Sequence, residues 1–161
     1  MKPGLQKVHS NFLKIQFAAS GISNAFLNCL AFYIGNRSLQ PVSHSAAAID
    51  AFITCGFISL LVTFPTAYFT GKALKAGLPV MERNRWVYWL PGKTWLLWLT
   101  LWLLAVVVME MVFAGIYLLG GIEEITFFPM LLWRFCWCGL LGGTIGVLVG
   151  TRCLQPTQAS K

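Results

Sequence analysis

Two ionisable side chains stand inside apolar runs, where a lipid environment disfavours charge. Glu110 lies in the run Trp95–Gly120, and Arg134 lies in the run Phe127–Leu154. Such groups each cost a few kcal/mol on insertion scales, so they face a protein interior or water and mark functional sites by default. At 1.5 Å per residue, they lie ~15 Å and ~10 Å from the ends of their runs that adjoin the same connection. We therefore expect Glu110 and Arg134 to form a pair.

Amide side chains extend this candidate site. Gln16, Ser20, Asn24 and Asn28 are spaced four residues apart, so they share one face of a helix. Amides facing lipid would be unpaired, so this face must look at other helices or at water. One interpretation is hydrogen bonds between helices, worth ~0.6–2 kcal/mol each. The other is a wall that contacts a solute or an ion.

The depths of these residues predict one polar cluster. Asn24 and Asn28 lie at a level comparable to Glu110 and Arg134 if the first helix ends near Gly35. The four side chains form the candidate binding site for a small solute or ion. In this interpretation the carboxylate takes a proton, a cation or an amine, and the guanidinium takes a carboxylate or keeps its partner charged.

Glycines in the last apolar run form a second pattern. They are Gly139, Gly142, Gly143, Gly146 and Gly150. Two successive G-x-x-x-G spacings within this set give a smooth strip, which lets another helix approach closely. We expect this strip to serve helix packing and to join a second copy of the chain in a homo-oligomer.

The elements that carry these residues are four membrane-length helices. Of 161 residues, 57% are hydrophobic and 11% are charged, whereas soluble domains average ~25% charged. Spans are predicted at 12–35, 46–70, 95–120 and 127–154, and each is long enough for a bilayer. No polar segment exceeds about 25 residues, which is too short for a separate soluble domain. The predicted fold is all-α: one domain, 1–161, an integral membrane four-helix bundle of two helical hairpins.

The formal net charge of +7 is unevenly distributed. Basic residues occur near both termini and around the middle connection: Lys2, Lys7, Lys14, Lys72, Lys75, Arg83, Arg85, Lys93, Arg152 and Lys161. The first connection holds only Arg37, and the third holds Glu123 and Glu124. By the positive-inside rule, both termini are cytoplasmic. The bases therefore indicate a lipid bilayer rather than nucleic acid as partner, and a multi-pass protein of a bacterial inner membrane.

Two further features concern the second helix and the connection after it. Asp50 lies in the first turns of that helix, where the dipole favours an anion, and Pro65 is expected to kink it. The middle connection, 71–94, mixes bases with aromatic residues, as in the headgroup layer. A short interfacial helix is predicted near 79–90.

The sequence lacks the common catalytic and cofactor-binding patterns. The two histidines, His9 and His44, lie outside the predicted spans, so a bis-histidine haem is not supported. No H-E-x-x-H, C-x-x-C or phosphate-binding loop occurs, and the five cysteines lie in apolar segments as packing residues. We therefore expect that the protein is not an enzyme and that it binds no cofactor and no metal.

Two functions remain open. The first is a small transporter or exporter subunit. Three features are similar to small four-helix bacterial amino-acid exporters: an asparagine midway along the first helix, the Phe64-Pro65 step and a cytoplasmic middle connection. This likeness covers the outline of the chain, and it implies export of a small solute. The second function is an accessory, assembly or immunity-type protein that docks on another membrane protein through its glycines and tryptophans.

Overall fold

The computed structural model describes residues 3–35, 41–122 and 124–156. Its elements in chain order are α1 (Pro3–Gly35), β1 (Val42–Ser43), α2 (His44–Lys75), α3 (Thr94–Ala114) with a π-helical extension (Gly115–Leu119), β2 (Glu124–Ile125) and α4 (Phe127–Leu154). Four of the charged residues discussed above lie outside the described residues: Lys2, Arg37, Glu123 and Lys161.

The helices have the length and composition of membrane spans. The described residues contain four such stretches, Gly4–Gly35, His44–Lys75, Thr94–Leu119 and Phe127–Leu154. This set is typical of a multi-pass membrane protein. The expected basic tail before residue 12 is instead the first two turns of α1. Pro65 lies on an exposed side of α2, which continues as helix on either side of it.

The helices pack in an order that differs from their order in the chain. α1 packs mainly on α4, α4 also packs on α2, and α2 packs on α3, whereas α1 and α2 touch little and α3 barely touches α4. The spatial row is therefore α1, α4, α2, α3. Helices joined by a short connection are not packed as the two hairpins that the sequence suggested.

Two hydrophobic clusters lie along this row. One surrounds Cys55 of α2, with Phe113 of α3 and Met130 of α4. The other joins Ile58 of α2 to Leu97 of α3 and to neighbouring residues of α4. Both clusters include residues of α2, α3 and α4, so these three helices together enclose the apolar interior.

One end of the row, here called the strand end, is closed by a short pairing. β1 and β2 are antiparallel, with Val42 opposite Ile125, so the first and third connections lie together. The hydroxyl of Tyr117, on the π-helical segment, donates to the carbonyl of Val42 at 3.1 Å. This arrangement places both short connections at the same end.

The opposite end, here called the basic end, contains the middle connection, the start of α1 and the end of α4. The backbone N–H of Met81 donates to the carbonyl of Leu154 at 2.8 Å, and His9 Nε2 lies 2.7 Å from the carbonyl of Pro79. The expected interfacial helix at 79–90 does not form, and turns occupy 85–89. The backbone of the connection is held instead by these contacts to α1 and α4.

Candidate functional site

Arg134 is the most deeply buried charge near the strand end. Its guanidinium forms an ion pair with the carboxylate of Asp50 on α2, and their side chains are 6% and 39% exposed. The guanidinium also lies over the ring of Phe32 on α1, 4.3 Å from its centroid. Three helices therefore hold one cation, through a carboxylate on one side and an aromatic face on the other.

The pair expected between Glu110 and Arg134 does not form. Among the described residues, the carboxylate that pairs with Arg134 is Asp50, and no ion pair or hydrogen bond is present at Glu110. Glu110 is half-buried on α3, within electrostatic range of the Cys55 thiol. The reason is the packing order, because α2 lies between α3 and most of α4.

A signal for the observed pair was present in the sequence. Asp50 is the seventh residue of α2 and Arg134 is the eighth of α4, and both helices start at the strand end. Equal helical rise then places them at the same depth. Treating Asp50 as a residue that complements the helix dipole concealed this match.

Asn24 and Asn28 do not join Arg134 in a common cluster. The amide of Asn24 donates to the carbonyl of Ser20 at 2.8 Å, and the amide of Asn28 donates to the carbonyl of Asn24 at 2.9 Å. Both bonds run within α1. A solute-binding role for Asn24, Asn28, Glu110 and Arg134 stays a prediction.

The glycine strip of α4 is occupied by α1. A Cβ atom placed on Gly142 would lie 2.9 Å from Asn24 Cβ, and one on Gly146 would lie 2.8 Å from Ser20 Oγ. The same test brings Gly143 against Phe17, Gly150 against Leu13 and Gly139 against Ala25. The strip therefore serves packing inside one copy, and the expected homo-oligomer contact through these glycines is not available.

A line of polar side chains, five of them buried and two half-buried, lies beside the strip and is here called the polar track. Its members are Gln16, Ser20 and Asn24 of α1 and Ser59, Thr63, Thr66 and Thr70 of α2. The four α2 residues are spaced 4, 3 and 4 apart, which puts them on one helical face. Thr66 Oγ1 donates to Gln16 Oε1 at 3.5 Å, which joins the two sides of the track.

Three polar atoms of the track lack a hydrogen-bond partner within the described residues. They are Asn24 Oδ1, Thr63 Oγ1 and Thr70 Oγ1. The Thr63 and Thr70 side chains are fully buried and Asn24 is 3% exposed. Buried polar atoms are nearly always paired with protein or water, so these three groups call for a partner that the described residues do not supply. The hydroxyl spacing was visible in the sequence, but its alignment with α1 was not.

The arrangement therefore presents polar groups at two depths along the helices. The Asp50–Arg134 pair near the strand end offers charge, and the polar track beyond it offers neutral hydroxyl and amide groups. Within the part of the chain that the structure describes, no group of three or more His, Cys, Asp or Glu residues is arranged to hold a metal ion.

No protein-family model, curated protein or solved structure matches this chain.

Proposed function

We propose that this chain is a multi-pass membrane protein that carries a small polar or charged solute, as a transporter or exporter subunit. Its basic end faces the cytoplasm, because loops rich in Lys and Arg stay on that side. A bacterial inner membrane is the compartment that fits this pattern.

The observation that carries the proposal is the set of three unpartnered atoms in the polar track. Burying a hydroxyl without a partner costs about 1–3 kcal/mol. Valine or alanine would fill the same space without that loss of stability, so packing alone does not explain the hydroxyls. On α1 the track begins at Gln16, about two helical turns from His9, and continues to Asn24. Asp50 and Arg134 continue the polar groups towards the strand end.

The Asp50–Arg134 pair supplies the charge selectivity of this pathway. Asp50 is 39% exposed, so its carboxylate is accessible to a proton or to the amine of a solute. Arg134 then binds a solute carboxylate or keeps Asp50 ionised. In this role Asp50 replaces Glu110, which the sequence had suggested.

Passage requires α1 to move relative to α2. The two helices pack little against each other, and Thr66 and Gln16 give them a long hydrogen bond. α1 is held chiefly by the glycine strip of α4, a smooth surface on which it can shift. The row of four helices provides one carrier unit, and further copies or partners attach at its edges, α1 and α3.

The test is flux through the purified full chain in proteoliposomes. The probes are a radiolabelled amino-acid mixture and an entrapped pH-sensitive dye, driven by a potassium potential with valinomycin. We expect the parent to transport one of the two probes. The transport rate of the double variant Thr63→Val/Thr70→Val should be at least tenfold lower. Thr144→Val is the matched control, because the Thr144 hydroxyl is exposed and bonds its own helix at 2.8 Å. Absence of flux in the parent, or equal flux in the double variant, overturns the transport proposal.

Glu110 favours a second candidate function, an accessory protein that docks on another membrane protein. This carboxylate is half-buried on an edge helix of the row and has no ion-pair partner among the described residues. A basic residue on a partner helix would satisfy it. In this case Glu110→Gln abolishes photo-crosslinking from position Met111, which is 70% exposed beside it, while protein abundance stays normal. Transport predicts instead that the variant keeps its crosslinking pattern.

A further inference from the structure

A cavity of about 490 Å³ lies at the basic end, away from the polar track. It is lined by the middle connection and by the last turn of α4: Arg83, Arg85, Tyr88, Trp89, Leu90, Pro91, Gly92 and Arg152. Three of these eight residues are arginines and none is acidic. Glu82, which precedes Arg83 in the sequence, does not line the cavity. The lining therefore presents concentrated positive charge to whatever enters.

Arg152 is the buried and fixed arginine of this site. The residue is only 4% exposed, and its Nε donates to the carbonyl of Leu90 at 2.8 Å. No carboxylate among the described residues pairs with it. Burying a guanidinium without a carboxylate partner is unfavourable, so a counter-ion near the Nη atoms of Arg152 is expected on physical grounds.

Aromatic and glycine residues fix the position of the guanidinium groups. The Tyr88 ring has Arg83 on it, 3.5 Å from the guanidinium carbon to the ring centroid, and Arg152 at 5.4 Å. Gly92 makes room for Arg152, because a Cβ atom placed there would lie 3.0 Å from Arg152 Nη2. Two arginines from distant parts of the chain are thereby held on one ring.

We propose that this cavity binds a phosphate group, presented by the headgroup of an anionic phospholipid. Planar guanidinium groups match phosphate oxygens in pairs, and basic pockets on the cytoplasmic side of membrane helices recognise such headgroups. Trp89 lines the cavity, and Trp86 and Trp95 lie close to lining residues in the chain. The three side chains are 62%, 85% and 55% exposed, as expected at headgroup depth. The lipid source rests on the proposed membrane insertion, whereas the phosphate chemistry does not.

The test is native mass spectrometry of the full chain in neutral detergent. The probes are a short-chain phosphatidylglycerol, the matching phosphatidylcholine and inorganic phosphate. We expect phosphatidylglycerol to bind at least tenfold more tightly than phosphatidylcholine. Arg83→Gln/Arg85→Gln, two exposed positions, should weaken phosphatidylglycerol binding at least tenfold.

Two variants separate geometry from overall charge. Lys93→Gln removes an exposed base at the same end that does not line the cavity, and we expect less than a twofold change. Gly92→Ala keeps every charge but displaces Arg152, so it should weaken binding several-fold.

Displacement of the lipid by millimolar inorganic phosphate identifies free phosphate as the ligand of the same site. Equal binding of the two lipids, or unchanged binding in Arg83→Gln/Arg85→Gln, overturns the site. Neither result bears on flux, because the polar track is not altered in these variants.

Discussion

Buried polar groups have different partners at the strand end and at the basic end of the row. Near the strand end, Arg134 has both a carboxylate and an aromatic ring as partners. Towards the basic end, the Thr63 and Thr70 hydroxyls are buried without a hydrogen-bond partner in the described residues, and buried Arg152 has a backbone carbonyl and the Tyr88 ring but no carboxylate. The comparison teaches that burial alone does not identify a binding group. A satisfied charge can be purely structural, whereas an unsatisfied one requires something else to complete it.

The largest effect is expected from breaking the satisfied pair. Asp50→Asn leaves Arg134 buried without a carboxylate, and removal of one partner of a buried pair costs about 3–5 kcal/mol of unfolding free energy. Since Asp50 is 39% exposed, we expect the lower part of that range. The free energy is measured by unfolding in mixed micelles of increasing SDS content.

The reverse deletion sharpens the comparison. Arg134→Met leaves a carboxylate that is accessible to solvent or protons, so it should be less destabilising than Asp50→Asn. The double variant should recover most of the loss. Equal stability of all three variants with the parent would mean that the pair contributes nothing to the fold.

A smaller effect is expected at the glycine strip. In Gly142→Ala, the new Cβ would lie 3.0 Å from the Ser20 carbonyl oxygen, a backbone atom that cannot swing aside. Overpacking of this kind costs about 1–3 kcal/mol. Gly71→Ala is the matched control, because it is also helical and meets nothing within 4 Å, so it should be neutral or stabilising by up to about 1 kcal/mol. Equal effects of the two substitutions would argue against close α1–α4 packing.

The smallest effect on stability is expected in the polar track, and it has the opposite sign. Thr63→Val replaces an unpartnered hydroxyl by a methyl group of similar size, so unfolding free energy should rise by about 1 kcal/mol or less. Thr144→Val should stay within about 0.5 kcal/mol of the parent. A clear loss of stability in Thr63→Val would mean that the Thr63 hydroxyl has a structural partner.

The number of membrane-length helices was predictable because hydropathy is a property of each segment alone. The partners of those helices were not, since periodicity states which face is polar without stating which helix it meets. Glu110 was paired with Arg134 on depth alone. Because α2 packs against α4 and α3 barely touches it, the carboxylate that pairs with Arg134 is Asp50. The arginine cavity was harder still to foresee, because Arg83 and Arg152 are 69 positions apart and meet only after the middle connection folds onto α4.

The packing order of the row bears on how the protein is made. α1 leaves the ribosome before its main neighbour, α4, and α2 and α3 are synthesised between them. Until α4 follows, the face of α1 that holds Asn24 and Gly21 lacks the glycine surface that covers it. α1 therefore lacks its main packing surface while α2 and α3 are synthesised, and truncation before α4 should leave a chain that is degraded rather than one that folds in part.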